Sequence, residues 1–70
     1  MNRDFVASSN LTSIGYDEPS QTLEVEFSSG AIYQYYNVTV VLFEQLMQSP
    51  SKGQFLSMYI KNVYPFSRVG

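Results

Sequence analysis

Residues 22–36 read TLEVEFSSGAIYQYY, and the way this stretch pairs with itself decides the fold. Leu23, Val25 and Phe27 alternate with Thr22, Glu24 and Glu26, the period-two signature of a strand with one buried face. Ser28-Ser29-Gly30 breaks the run, and Ala31 to Tyr36 supplies a second β-prone segment, so the pair reads as a hairpin. Two registers compete. With a type I turn and Gly30 in the left-handed position of a G1 bulge, Phe27 faces Ala31, Val25 faces Tyr33 and Leu23 faces Tyr35; both tyrosines then point inward. A two-residue Ser29-Gly30 loop would instead set Gln34 opposite Val25 on the apolar face, burying an amide with no partner. The bulged register is predicted, with Glu24 and Glu26 forming a solvated acidic outer face.

Working outward, Ser9 to Tyr16 is expected as a first strand. It is followed by a turn at Asp17-Glu18-Pro19-Ser20, where Asp and Pro favour chain reversal. Leu11 and Ile14 fall out of phase, which predicts a bulge near Ser13 or Gly15 if both reach the core. After Tyr36 the period changes. Thr39 is placed to cap a helix with an apolar stripe at Leu42, Phe43, Leu46 and Met47, ended by Ser49-Pro50. Ser51-Lys52-Gly53-Gln54 matches an S-x-x-Q capping box opening a second helix, with Phe55, Met58 and Tyr59 as its expected buried stripe. Val63-Tyr64-Pro65-Phe66 leaves it as an extended tail, since Pro65 cannot continue a helix. The result is an α+β domain over residues 1–70, its core about 9–69: a three-stranded antiparallel β-meander followed by two short α-helices packed on one face.

Composition limits what such a chain does. Seventy residues bury only about 60% of the surface the unfolded chain exposes, which leaves little core for a deep active site. At 44% hydrophobic and 14% charged, the sequence is too apolar for a disordered tail, and its 16% aromatic content compensates for its length. Cysteine and histidine are both absent. That removes disulfides, the usual zinc ligands, the ordinary catalytic triad and an imidazole shuttle; no cofactor or metal is expected, and a reducing cytoplasm is the expected setting. No apolar run approaches the ~20 residues that span a bilayer, so no membrane association is expected. Two N-x-T sequons, at Asn10 and Asn37, read as coincidence.

The stretch SPSKGQF, residues 49–55, imitates two kinds of site. Ser49-x-x-Lys52 fits a serine nucleophile with a lysine base, but its companion motifs are missing and a short exposed helix offers the lysine no buried cleft in which to act as a base. Ser51-Lys52-Gly53 resembles part of a phosphate loop, yet the full Gly-rich pattern and its preceding strand are absent. Amides at a helix start do attract anions, so a weak anion site at Gly53 and Gln54 is the functional residue of that reading. A helix start is the structural one, and it is preferred.

Leu23-x-Val25-x-Phe27, Ser29-Gly30, Tyr33-Gln34-Tyr35, Val38, Leu46-Met47, Ser49-Pro50-Ser51-Lys52-Gly53 and Tyr64-x-Phe66-x-Arg68, in this order and spacing, together resemble the KTSC domain. That family is named for the C-terminus of certain lysyl-tRNA synthetases and also occurs as single-domain bacterial proteins. The resemblance implies a small binding module, with RNA or a tRNA-associated protein as the partner class and the central Tyr33-Gln34-Tyr35 as its hallmark. In the predicted register these rings are packing material. The net charge of -2 is unfavourable for a polyanion, which leaves Lys52, Lys61 and Arg68, with Gly53 beside them and Arg3 as a further cation, as candidate binding residues. The expected function is therefore non-catalytic binding. Its alternative is a protein partner or self-association through a free sheet edge or apolar residues such as Ile32 and Tyr36.

Overall fold

The hairpin adopts the bulged register. In the computed structural model, which describes Met1–Gly70, β-strands Thr22–Phe27 and Ile32–Tyr35 pair Leu23 with Tyr35 and Val25 with Tyr33. Gly30 has φ +96°, its N–H donates to the Phe27 carbonyl at 2.9 Å, and Phe27 N–H donates to Ala31. A side chain would be strained in that left-handed conformation, so glycine is required at this point of the turn.

These strands lie within a five-stranded antiparallel sheet whose spatial order follows the chain. We number them β1 (Asp4–Phe5), β2 (Leu11–Asp17), β3 (Thr22–Phe27), β4 (Ile32–Tyr35) and β5 (Phe66–Arg68). The meander β2-β3-β4 is thus widened at both edges by short strands that the sequence pattern leaves unassigned. The register of β2 against β3 shifts between Leu11 and Ser13, and the bulge lets both Leu11 and Ile14 reach the core. Asp17 closes the following turn by accepting from the Ser20 N–H at 3.2 Å and from its hydroxyl.

Helices α1 (Val40–Gln48) and α2 (Lys52–Tyr59) pack on the inner face. Thr39 caps α1, its hydroxyl accepting from Leu42 N–H at 3.3 Å. Tyr16 holds α1 down by stacking on Phe43, with centroids 4.5 Å apart, while its hydroxyl donates to the Val38 carbonyl. The buried core comprises Leu11, Ile14, Leu23, Val25, Tyr35 and Val38 from the sheet side, with Leu46, Leu56 and Ile60 from the helices.

Four expectations are corrected. The capping box does not form: Ser51 has φ -130°, ψ 86° and makes no side-chain cap bond, its N–H donating instead to Ser49 Oγ at 3.1 Å. Around Pro50 the Ser49 hydroxyl closes the turn, so the start of α2 is fixed from outside the helix. The buried stripe of α2 is also one step away from that predicted. Leu56 and Ile60 enter the core, Phe55 is half-buried, and Met58 and Tyr59 are 58% and 51% exposed. Apolar residues spread over about half the circumference of this helix, too wide an arc for periodicity to choose which edge of it is buried; the i, i+4 pair Leu56/Ile60 is the one that enters the core.

The third correction concerns the outer face, where Glu24 is only 7% exposed rather than solvated. Arg3 lies across it, pairing with Glu24, donating from Nε to Ser13 Oγ at 2.9 Å and approaching Glu26 at 3.9 Å. The Ser13 hydroxyl donates in turn to Glu26 at 2.9 Å, and Gln34 donates to Glu24 at 2.8 Å. Gly15 makes the crossing possible: a Cβ there would sit 2.5 Å from the Asn2 carbonyl oxygen and 2.9 Å from Arg3 Cγ. Ile32 and Tyr36 are half-buried, so neither is the exposed apolar patch expected of them. No helix is long and apolar enough to cross a membrane.

Candidate functional site

The helices close only part of the inner face. At the β3–β4 turn a groove of about 550 Å³ stays open, with rings of Phe27, Tyr33 and Phe66 along it and Tyr35 at its buried margin. Strand alternation explains the rings. Tyr33 faces Arg68 and Tyr35 faces Phe66 across β4–β5, so the period-two pair Phe66/Arg68 shares the inner face with the two tyrosines. Phe66 is 52% exposed and rests on Tyr33 and Tyr35, with centroids 5.9 and 6.0 Å away, while Phe27 meets Tyr33 edge-on at 5.6 Å.

The motif Tyr33-Gln34-Tyr35 therefore divides in three. Tyr35 is core, 2% exposed, and burial, then the neighbouring Tyr33, raises its phenol above the ordinary tyrosine range. Gln34 belongs to the outer network, and Tyr33 is half-buried in the groove wall.

Two cations reach the groove from different elements. Lys61 follows α2 and holds its ammonium 5.6 Å from the Phe27 ring centroid, and Arg68 lies on β5. Arg68 donates through Nε to the Gly70 main-chain oxygen at 2.8 Å. Asn10 and Asn62 add uncharged amides, and no carboxylate lines the groove. Charge is thus segregated, with a cationic groove on one face and the Glu24/Glu26 network on the other. Burial alone would raise the Glu24 carboxyl, but hydrogen bonds from Gln34 and Arg3 and the Arg3 charge outweigh it and hold the group below the ordinary carboxylate range.

Of the residues singled out from sequence, Lys61, Arg68, Tyr33 and Tyr35 come together here. Lys52 and Gly53 do not. The Lys52 ammonium donates to the Ser49 carbonyl at 3.2 Å, and Gly53 packs beside Ser8 and Asn10. Ser49 donates to the Ser51 carbonyl, so these serines and the lysine form no nucleophile–base pair. Phe27, Phe66, Asn10 and Asn62 were missed; the signal for Phe66 was its alternation with Arg68 after Pro65.

The KTSC domain family profile matches residues 7–64. The chain belongs to the KTSC domain family. A crystal structure of a KTSC domain protein from Yersinia pestis superposes with a TM-score of 0.95 at 35% identity, covering 99% of this chain and 97% of that one. An uncharacterized protein of Stutzerimonas stutzeri is 43% identical over 61 residues, 87% of this chain and 86% of its own length. Lysine–tRNA ligases of Nostoc punctiforme and Trichormus variabilis are 36% and 37% identical over 59 and 54 residues, 84% and 77% of this chain. The chain spans about a tenth of the length of those ligases. The KTSC domain is thus a small α+β unit found both alone and within a much longer protein, and the β1 strand with Arg3 lies before the matched region.

Proposed function

We propose that this KTSC domain is a non-catalytic, cytoplasmic RNA-binding module and that the Phe27–Tyr33–Phe66 groove is its binding surface. One observation carries the reading: three aromatic rings and two cations converge in a groove that contains no carboxylate, in a chain whose net charge is -2. Exposed rings stack unpaired bases and clustered cations bind phosphates, and the acidic network on the far side keeps repulsion away from the groove. The lysine–tRNA ligases that contain a similar segment act, by their name, on tRNA, which supports RNA as the ligand class.

A labelled single-stranded RNA hexamer tests this by anisotropy at low salt. Tyr33→Ala or Phe66→Ala weakens binding about tenfold, since stacking is worth about 1–3 kcal/mol per base. Lys52→Ala, outside the groove, leaves affinity unchanged. Absence of low-salt binding by the native chain rejects the reading. The alternative, a protein partner or a second copy, is favoured by exposed apolar side chains on and just after α2, Met58, Tyr59 and Val63, of which Tyr59 lines a small hollow with Leu42 and Phe55. Association there persists at high salt and is abolished by Met58→Glu, which RNA binding does not require.

A further inference from the structure

We infer that the groove, on the RNA reading just given, takes one unpaired nucleotide: its base lies on Phe66, two adjacent phosphates engage Lys61 and Arg68, and the Asn62 amide reads the base edge. The groove ends at two turns, Ser28-Ser29 on one side and Lys61-Asn62 on the other, and its volume of about 550 Å³ is that of a small-ligand pocket rather than a duplex-binding face. Phe66 offers a half-exposed ring supported from below by Tyr33 and Tyr35. Only a base lifted out of a stack can present its face to that ring, so a paired strand is excluded.

Asn62 has a structural reason to be there: its φ of +67° is left-handed, and asparagine tolerates that conformation where most residues do not. Its side chain, however, is exposed and lines the groove next to Lys61, where its amide is open to a ligand. A side-chain amide offers one donor face and one acceptor face, the pattern that pairs with a base edge and discriminates among bases. Asn62→Gly separates the two roles, because glycine keeps the left-handed turn and removes only the amide.

The test uses anisotropy with single-stranded A, C, G and U hexamers and with a duplex of the same length, across salt. The native chain binds single strands at least tenfold more tightly than duplex. Its log affinity falls with log salt at a slope of about -1.4, from about -0.7 per phosphate for two phosphates. Lys61→Ala halves that slope. Asn62→Gly narrows the spread of affinities among the four hexamers to less than threefold while the slope stays the same. Equal binding of duplex, a slope beyond about -3, or an unchanged spread in Asn62→Gly overturns the one-nucleotide site while leaving RNA binding in place. Failure of every oligomer to bind overturns both.

Discussion

Two ends of one sheet face, two residues apart on β4, meet opposite fates. At the Tyr35 end, the ring is sealed in the core cluster that also holds Leu23, Leu46, Leu56 and Ile60; at the Tyr33 end, the ring stays half-buried in an open groove beside Phe27, and Phe66, opposite Tyr35 on β5, touches both tyrosines with half its surface exposed. Helical cover accounts for the difference: Leu46, Leu56 and Ile60 join the buried cluster that holds Tyr35, whereas Tyr33 only borders it. The uncovered part is the one whose residues carry rings and cations. Closure and openness on the same strand separate what holds the fold from what is available to a ligand.

Substitution should split the two ends most sharply. Tyr35→Ala empties a fully packed site and should cost about 3–5 kcal/mol in urea unfolding, whereas Tyr33→Ala, half-exposed, should cost about 1–2 kcal/mol. Equal costs would mean that the groove closes in solution. Within α2 the same contrast is expected: Leu56→Ala should lose about 2–5 kcal/mol, and Met58→Ala should stay within about 0.5 kcal/mol of the native chain.

The outer face should prove a spectator for binding but not for folding. Arg3→Ala removes two donors from a buried carboxylate and a serine, and about 1–3 kcal/mol of stability should go with them. RNA affinity should hold, although a cation has been lost. The same network sets an acid limb. Because the folded Glu24 carboxyl sits below its unfolded value, its contribution is fully present above the ordinary carboxylate range and is lost as pH falls toward the folded pKa. Midpoints measured from neutral pH down to about 3 should fall less steeply in Glu24→Gln than in the native chain.

Legibility followed the strength of local rules. The Gly30 bulge and the Val25/Tyr33 register could be read because the rejected alternative buried an unpaired amide. The Leu11–Ser13 bulge could be read because two apolar residues were out of phase. What stayed hidden were contacts between distant segments. Nothing local to Phe66-Ser67-Arg68 indicates that it joins β4, and nothing near Arg3 shows that it crosses Gly15 to neutralise Glu24. The groove needed both kinds of information: its tyrosine came from the hairpin, its phenylalanine and arginine from a three-residue strand at the edge.

The smallest effect separates the two helix starts, which look alike in sequence and differ in structure. Thr39 caps the first with its hydroxyl, and Ser51 makes no such bond at the second. Thr39→Ala should therefore cost about 1 kcal/mol, within the usual range for a lost cap, while Ser51→Ala should change the urea midpoint by less than the error of a typical melt. Ser49→Ala is the informative partner, because its hydroxyl both accepts from Ser51 N–H and donates to the Ser51 carbonyl. If Ser49→Ala destabilises and Ser51→Ala does not, the start of α2 is set by the Pro50 turn.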